Sequence, residues 1–264
     1  FRSFGLPKMG VTGAAVATVI GQCVAGVIAG TCNHKYNHEV SLNFKGFRPN
    51  AKIIGHIYAI GIPSIIMQSI GSIMTYSMNR ILIEFSSTAT AVFGVYFKLQ
   101  SFFFMPVFGL NNSLVPIIAY NYGARNKARI MRTVKLGCGA AVTILVLGAI
   151  VFQTMPATLL RMFNASEDMI SIGVTALRII SLSFLLAGFC IVIGSVFQAL
   201  GNGMYSLITS VCRQLLVLLP VAYIFARMFG LHAVWWSYPV AELASLAASV
   251  YLLKRIYNSH LRDL

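Results

Sequence analysis

Residues 89–120 read ATAVFGVYFKLQSFFFMPVFGLNNSLVPIIAY, an apolar run whose single charged residue is Lys98. About 20 consecutive apolar residues are enough for an α-helix to cross a lipid bilayer. A transmembrane β-strand would need only about ten residues of alternating polarity. The run therefore predicts a membrane-spanning α-helix that tilts or projects beyond the bilayer.

The rest of the chain repeats this pattern. Of its 264 residues, 58% are hydrophobic and 10% are charged, whereas about a quarter of the residues in a soluble domain are charged. Six further apolar runs cover residues 11–31, 53–85, 136–155, 170–200, 205–229 and 233–253. The sequence therefore predicts an all-α polytopic membrane protein with seven transmembrane helices.

The basic residues give the orientation. The net charge is +14, but these residues lie in loops between apolar runs rather than on a soluble basic face, so nucleic acid is not expected as a partner. Cytoplasmic loops are enriched in Lys and Arg. On this rule the C-terminus lies in the cytoplasm, together with the loops and tail that carry Lys35, Lys45, Arg48, Lys52, Arg125, Lys127, Arg129, Arg132, Lys135, Lys254, Arg255 and Arg262.

A polar stripe runs along the second apolar run. Ser64, Gln68, Ser72, Thr75 and Asn79 follow one another at spacings of four, four, three and four, which places them on one face of a helix. Polar side chains at membrane depth usually face a cavity or another helix. Helix–helix hydrogen bonds of about 0.6 kcal/mol each are the alternative to a cavity wall, but Gln68 is too large for a close helix contact and favours the cavity.

Three further substrate-cavity candidates, Lys98, Met105 and Asn112, share a face of the third run. Lys98 has two other possible roles, because it could pair with an acid or extend its ammonium group to the membrane surface. Arg178 in the fifth run poses the same question and is also a cavity candidate.

One acidic residue, Glu242, lies deep in an apolar run. It is either a proton or cation site or one half of a salt bridge to Arg213 or Arg178. Arg213 lies closer to the cytoplasmic end of its run and is interpreted as structural. Arg80 and Glu84, four residues apart near the end of the second run, are expected to form an ion pair along their helix.

The first and last apolar runs resemble each other. The first begins Met9-Gly10-Val11-Thr12-Gly13 and the last Phe229-Gly230-Leu231-His232-Ala233. If this similarity reflects an internal repeat, residues 1–50 hold the last helix of an N-terminal lobe plus a cytoplasmic inter-lobe loop, and residues 51–264 form a six-helix C-terminal lobe. The chain begins Phe1-Arg2-Ser3, and we expect it to be a fragment. Two similar halves around a central cavity is a common transporter plan.

Several motifs together resemble the bacterial branch of the multidrug and toxic compound extrusion (MATE) family. They are residues 7–18 (PKMGVTGAAVAT), 61–64 (GIPS), 111–116 (NNSLVP), 121–124 (NYGA), 198–203 (QALGNG), 213–214 (RQ), 219–220 (LP) and 230–242. No one motif is specific, but the set occurs in order along the whole chain. Gln198, in one of these motifs, completes the list of substrate-cavity candidates.

The resemblance implies a secondary active antiporter in the plasma (inner) membrane. Such a protein exports amphipathic, often cationic compounds in exchange for Na⁺ or H⁺ by alternating access between two helical lobes, and it needs no other cofactor. Its expected partners are a small-molecule substrate, the lipid bilayer and the missing N-terminal lobe. The acidic positions of some members fall near Gln68 or Gly71 and near Gly188 here, none of which is acidic, so the coupling site is expected in the missing lobe.

Three other functions compete with this one. A flippase for lipid-linked oligosaccharides of related architecture would use a strongly cationic cavity, which Lys98, Arg178 and Arg213 allow. A seven-helix receptor matches the span count but not the similarity of the first and last runs. An enzyme has little support, since the sequence shows no catalytic constellation and no metal-ligand cluster; His34, His38 and Glu39 share a solvated basic loop.

Overall fold

The computed structural model describes residues 10–36 and 49–258, although the side chains of a few residues within this range, Pro63 and Ser64 among them, are not described. The described part is α-helical and contains no β-strand. The predicted inter-lobe loop at residues 37–48, the first motif residues and the tail at 259–264 lie outside it. The helices are α1 Gly10–Tyr36, α2 Ala51–Ile83, α3 Ser87–Gly123, α4 Lys127–Thr154, α5 Pro156–Arg161, α6 Glu167–Ser181, α7 Phe184–Ala199, α8 Gly203–Val211, α9 Leu219–Phe229, α10 Leu231–Val234 and α11 Ser237–Ile256, with a π-helical segment at Cys212–Leu218.

The chain divides into two compact units, Phe1–Ile54 and Gly55–Leu264. In the first unit, α1 is a single helix whose segment Ala15–Tyr36 is long and apolar enough to cross a membrane. Its described side chains are almost all exposed. The predicted boundary between lobes at residue 50 stays a prediction.

Helices of membrane-spanning length confirm the predicted all-α, polytopic membrane fold, although the described residues give four such helices, or five with one bent pair, against the seven predicted. Besides Ala15–Tyr36, the segments Ser87–Gly123, Lys127–Thr154 and Gly203–Phe229 are long and apolar enough to span a bilayer. The pair α6 and α7 passes the same test as one bent unit. The chain is therefore an all-α, polytopic membrane protein.

The fifth predicted span is not one straight helix. Residues 170–200 are divided between α6 and α7, which are inclined by 49° to each other. At the break the backbone N–H of Ser183 donates to the Ile180 carbonyl, 3.0 Å away, and the Ser183 hydroxyl donates to the same oxygen at 2.6 Å. These bonds from residue i to i−3 tighten the last turn of α6, where a serine side chain competes with the regular helical pattern.

The other boundary differences have similar causes. The sixth span, 205–229, contains the π-helical segment Cys212–Leu218, and the seventh is divided into α10 and α11. Helix α4 begins at Lys127, so Arg129, Arg132 and Lys135 lie on a helix rather than in the predicted loop. Hydropathy detects only the apolar part of a helix, so it does not include charged helical turns such as those at the start of α4.

The core of the second unit lies where α3, α4 and α7 pack together. Gly188 of α7 faces the α4 backbone so closely that a Cβ atom there would lie 3.2 Å from the Cα and N atoms of Val142. Small residues allow such close approach of membrane helices. The Ser195 hydroxyl of α7 donates to the Asn111 side-chain oxygen of α3, so a polar contact also joins these helices.

Candidate functional site

An open cavity of about 860 Å³ lies within the second unit. Its walls come from α2, α3, the break between α6 and α7, α7, the π-helical segment and α11. It is lined by Gln68, Gly71, Ser72, Met74, Thr75, Tyr76, Asn79, Tyr96, Phe97, Gln100, Ser101, Phe104, Met105, Phe108, Ser183, Ala187, Ile191, Arg213, Gln214, Leu218, Tyr238 and Glu242. Its volume is in the range of small-molecule binding sites, roughly 300–1,000 Å³.

The polar stripe of α2 forms one wall of this cavity. Gln68, Ser72, Thr75 and Asn79 all line it, and a role for them in binding a substrate stays a prediction. The Thr75 hydroxyl donates to the carbonyl of Gly71 in its own helix, at 2.9 Å. The side chain of Ser64, the first member of the predicted stripe, lies outside what the structure describes.

Another part of the wall carries the charges. Among the lining residues Arg213, on the π-helical segment, is the only basic residue and Glu242, on α11, the only acidic one. Arg213 Nη1 lies 3.4 and 3.5 Å from the two carboxylate oxygens of Glu242. Of the two alternatives for Glu242, the structure therefore forms the salt bridge, and its partner is Arg213 rather than Arg178.

Aromatic and thioether side chains complete the cavity. Phe97, Phe104, Met105 and Phe108 all come from α3. The ring of Phe184 packs against Phe104 in an edge-to-face arrangement, with ring centroids 5.1 Å apart. The cavity thus combines fixed aromatic surface with adaptable methionine side chains.

The predicted site residues are only partly brought together. Gln68, Thr75, Asn79, Met105 and Glu242 line the cavity, which places them on a common surface although they come from three helices.

Four other candidates lie outside this lining. Lys98 is exposed, and its ammonium lies 5.9 Å from the centre of the Phe163 ring. Arg178 is exposed near the end of α6. Asn112 is exposed on α3, and Gln198 donates to the Ser206 hydroxyl at 3.2 Å. A binding role for these four stays a prediction.

The position of Lys98 has a simple geometric reason. The cavity face of α3 includes Phe97, Ser101, Phe104 and Phe108. Lys98 follows Phe97 directly, and successive residues of an α-helix are turned by about 100°. The face of α3 predicted from the sequence is therefore rotated towards Lys98 relative to the face that lines the cavity.

Sequence reasoning missed four polar groups of the cavity, Gln100, Gln214, Tyr96 and Tyr238. The two glutamines carried a usable signal, since each is an uncommon polar residue in an apolar run. The two tyrosines carried none, because their rings count as apolar. Their rings pack edge to face at 5.8 Å and form part of the cavity wall next to Glu242.

Two further observations concern charge and metal ligands. Glu84 pairs with Arg227 at 3.6 Å instead of with Arg80, the partner predicted one helical turn away. The described residues contain no group of three or more His, Cys, Asp or Glu side chains placed to hold a metal ion.

Membrane-length helices and a cavity with polar and aromatic walls define a polytopic membrane protein with an internal cavity. The MatE family model matches residues 63–224 of the chain, which is more than half of its length. The chain therefore belongs to the MATE family.

Individual relatives agree with this assignment. Over 249 residues the chain is 31% identical to the multidrug export protein MepA of Staphylococcus aureus (strain MSSA476), covering 93% of this chain and 55% of that protein. It is 27% identical to MepA of Staphylococcus haemolyticus (strain JCSC1435) over 255 residues, or 97% of this chain and 56% of the relative. The chain thus spans just over half the length of these curated relatives.

Solved structures show the same fold. The MATE multidrug transporter DinF-BH, solved as a ligand complex, superposes with a TM-score of 0.83 at 33% identity, covering 96% of this chain and 57% of that one. An outward-facing multidrug resistance MATE family transporter of the MOP superfamily gives a TM-score of 0.87 at 24% identity, covering 97% and 58%.

Proposed function

We propose that the chain is part of a secondary active multidrug antiporter that exports amphipathic, often cationic compounds. The observation that carries this proposal is the cavity of about 860 Å³ in a MATE family chain. Its position among membrane-length helices suits a molecule taken from the cell or the lipid. The same family assignment does not favour the lipid-linked oligosaccharide flippase. It does not favour an enzyme either, since the similar proteins are transporters.

The chemistry of the walls supports this class of substrate. Aromatic faces attract cations and provide large apolar contacts, and Phe97, Phe104 and Phe108 supply them here. Met74 and Met105 add side chains that adjust to different shapes. The uncharged polar groups of α2 accept or donate hydrogen bonds without demanding one charge, which suits a site for varied compounds.

Transport against a gradient requires coupling to an ion. In the proposed mechanism Na⁺ or H⁺ and the drug compete for one conformational equilibrium. Entry of the ion then drives export of the drug. The α2 wall offers no acid, and Gly188 packs against the α4 backbone. We therefore propose that the coupling ion binds in an N-terminal lobe, with Glu242 as the candidate ion or proton site within this chain.

The proposed location is the plasma (inner) membrane, with the C-terminus in the cytoplasm. The support is the excess of Lys and Arg around the start of α4 and the end of α11. The proposed partners are the substrate, the bilayer and an N-terminal lobe, since the chain spans only 55% of the S. aureus relative.

The test is dye export from cells that lack their own efflux pumps. The full-length protein containing this chain should lower the steady-state accumulation of ethidium, and collapse of the ion gradients should abolish the effect. Residues 1–264 alone, at matched membrane levels, should not export, because alternating access between two lobes requires the N-terminal lobe. Unchanged ethidium accumulation with the full-length protein, together with binding of a lipid-linked pyrophosphate, would favour the flippase instead.

A further inference from the structure

The guanidinium of Arg213 is only partly used by its ion pair. Both contacts to Glu242 come from one nitrogen, Nη1, at 3.4 and 3.5 Å. A guanidinium carries five N–H donors, and Arg213 has no further hydrogen-bond partner in the described part of the chain. The side chain of Arg213 is 28% exposed, against 8% for Glu242. The charge that a ligand in the cavity can reach is therefore the positive one.

The residue next to Arg213 adds a hydrogen-bond donor to the cavity lining. Gln214 follows Arg213 on the π-helical segment and also lines the cavity. π-helical segments are also frequent at functional sites.

The acid behind Arg213 makes this arrangement selective. Glu242 neutralises the arginine when the cavity is empty, so the site does not hold a bare positive charge in the membrane. Its carboxylate is almost wholly covered, and a ligand cation would have to displace Arg213 to reach it. A planar ligand carboxylate, in contrast, meets unused N–H groups in the forked geometry that arginine offers.

From these contacts we propose that Arg213, assisted by Gln214, binds the carboxylate of an aromatic or otherwise amphipathic compound in this cavity. The aromatic body then lies against Phe97, Phe104 and Phe108 of α3. The proposal rests on the proposed function, because it assigns a chemical feature of the substrate to a wall of the substrate cavity.

The experiment compares two dyes that differ at one group. Rhodamine 6G is an ethyl ester, and rhodamine 19 is the corresponding free carboxylic acid with the same cationic ring system. Binding of each to the full-length protein that contains this chain, in phosphatidylcholine nanodiscs, is measured by fluorescence anisotropy, with empty discs subtracted. We expect the acid to bind about tenfold more tightly than the ester, as one charge-assisted interaction would give.

Two variants locate the effect. Because Arg213→Gln alone would leave Glu242 covered and unpaired, the test variant is the double substitution Arg213→Gln with Glu242→Gln, which keeps a neutral hydrogen-bonding pair. It should bind both dyes alike. Arg161→Gln, at an exposed arginine on α5 outside the cavity, should keep the preference for the acid.

Equal binding of the two dyes by the unmodified chain, tighter binding of the ester, or a preference that persists in the double variant would each overturn the carboxylate site. None of these results bears on export of cationic compounds, which ethidium accumulation measures. Failure to bind either dye would overturn the carboxylate site and also remove the cavity as the substrate site.

Discussion

The second unit has two contrasting sides. Where α3, α4 and α7 meet, the helices approach so closely that Gly188 lies against the α4 backbone. Where α2, the π-helical segment and α11 face α3, they leave a cavity lined by polar groups. Without a hydrophobic driving force between helices in lipid, packing of small residues holds the first side together. The second side presents polar groups to an open cavity, so the two sides should respond differently to substitution.

The largest effect is expected from breaking the ion pair on the cavity side. Arg213→Ala leaves the covered carboxylate of Glu242 without its partner. Loss of one member costs about 3–5 kcal/mol for a fully buried pair and less than about 1 kcal/mol at a surface. Since Arg213 is 28% exposed, we expect about 2–4 kcal/mol, measured as loss of thermal stability in detergent.

The double variant Arg213→Gln with Glu242→Gln is the matched comparison and should recover most of that loss. If Arg213→Ala has the same melting temperature as the unmodified chain, the ion pair contributes nothing to stability.

A smaller loss is expected on the packed side from Gly188→Ala. The added methyl group would lie 3.2 Å from backbone atoms of Val142, and backbone cannot move aside as a side chain can. Overpacking of this kind costs about 1–3 kcal/mol, to be read from the same melting measurement.

Gly94→Ala on α3 is the control, because nothing lies within 4 Å of the position where its Cβ would be. Alanine is favoured over glycine in a helix by about 0.5–1 kcal/mol, so this variant should be neutral or more stable. Equal losses at both glycines would contradict the close contact between α4 and α7.

Removing one polar group from the α2 wall should change function and not stability. Gln68→Ala in the full-length protein should weaken ethidium export by about twofold to tenfold, the equivalent of one net hydrogen bond of about 0.5–1.5 kcal/mol. Membrane levels should remain unchanged, as judged by immunoblotting.

Ser69→Ala is the control on the same helix, since its hydroxyl donates to the Ile65 carbonyl, 2.9 Å away, and does not line the cavity. If the Gln68 variant exports ethidium like the unmodified protein at equal expression, Gln68 does not contribute to substrate binding.

The smallest effect is expected from the other ion pair. Glu84 and Arg227 are 3.6 Å apart with side chains 58% and 61% exposed. Exposed pairs contribute little because water and salt screen them. Glu84→Gln should therefore leave the melting temperature unchanged at physiological salt, in contrast to Arg213→Ala, and a comparable loss would mean that exposure does not separate the two pairs.

The same contrast explains what the sequence could predict. The α2 wall was predictable because Gln68, Ser72, Thr75 and Asn79 recur with the helical period in an otherwise apolar run. The wall that carries Arg213 was not predictable, because hydropathy registers 205–229 as one apolar run and does not detect the π-helical segment within it. The break at Ser183 was missed for the same reason. Tyr238 was invisible because an aromatic ring adds to apolarity whatever its hydroxyl does.

The contact at Gly188 also limits how this lobe can evolve. Acquiring a carboxylate at residue 188 is one route by which such a wall would gain a cation ligand. The obstacle, however, consists of the Cα and N atoms of Val142 and the carbonyl carbon of Ala141. No exchange of a neighbouring side chain removes those atoms, so α4 and α7 would have to separate before an acid at this position was tolerated. A single substitution at residue 188 therefore cannot place an acid there while α4 and α7 keep this contact.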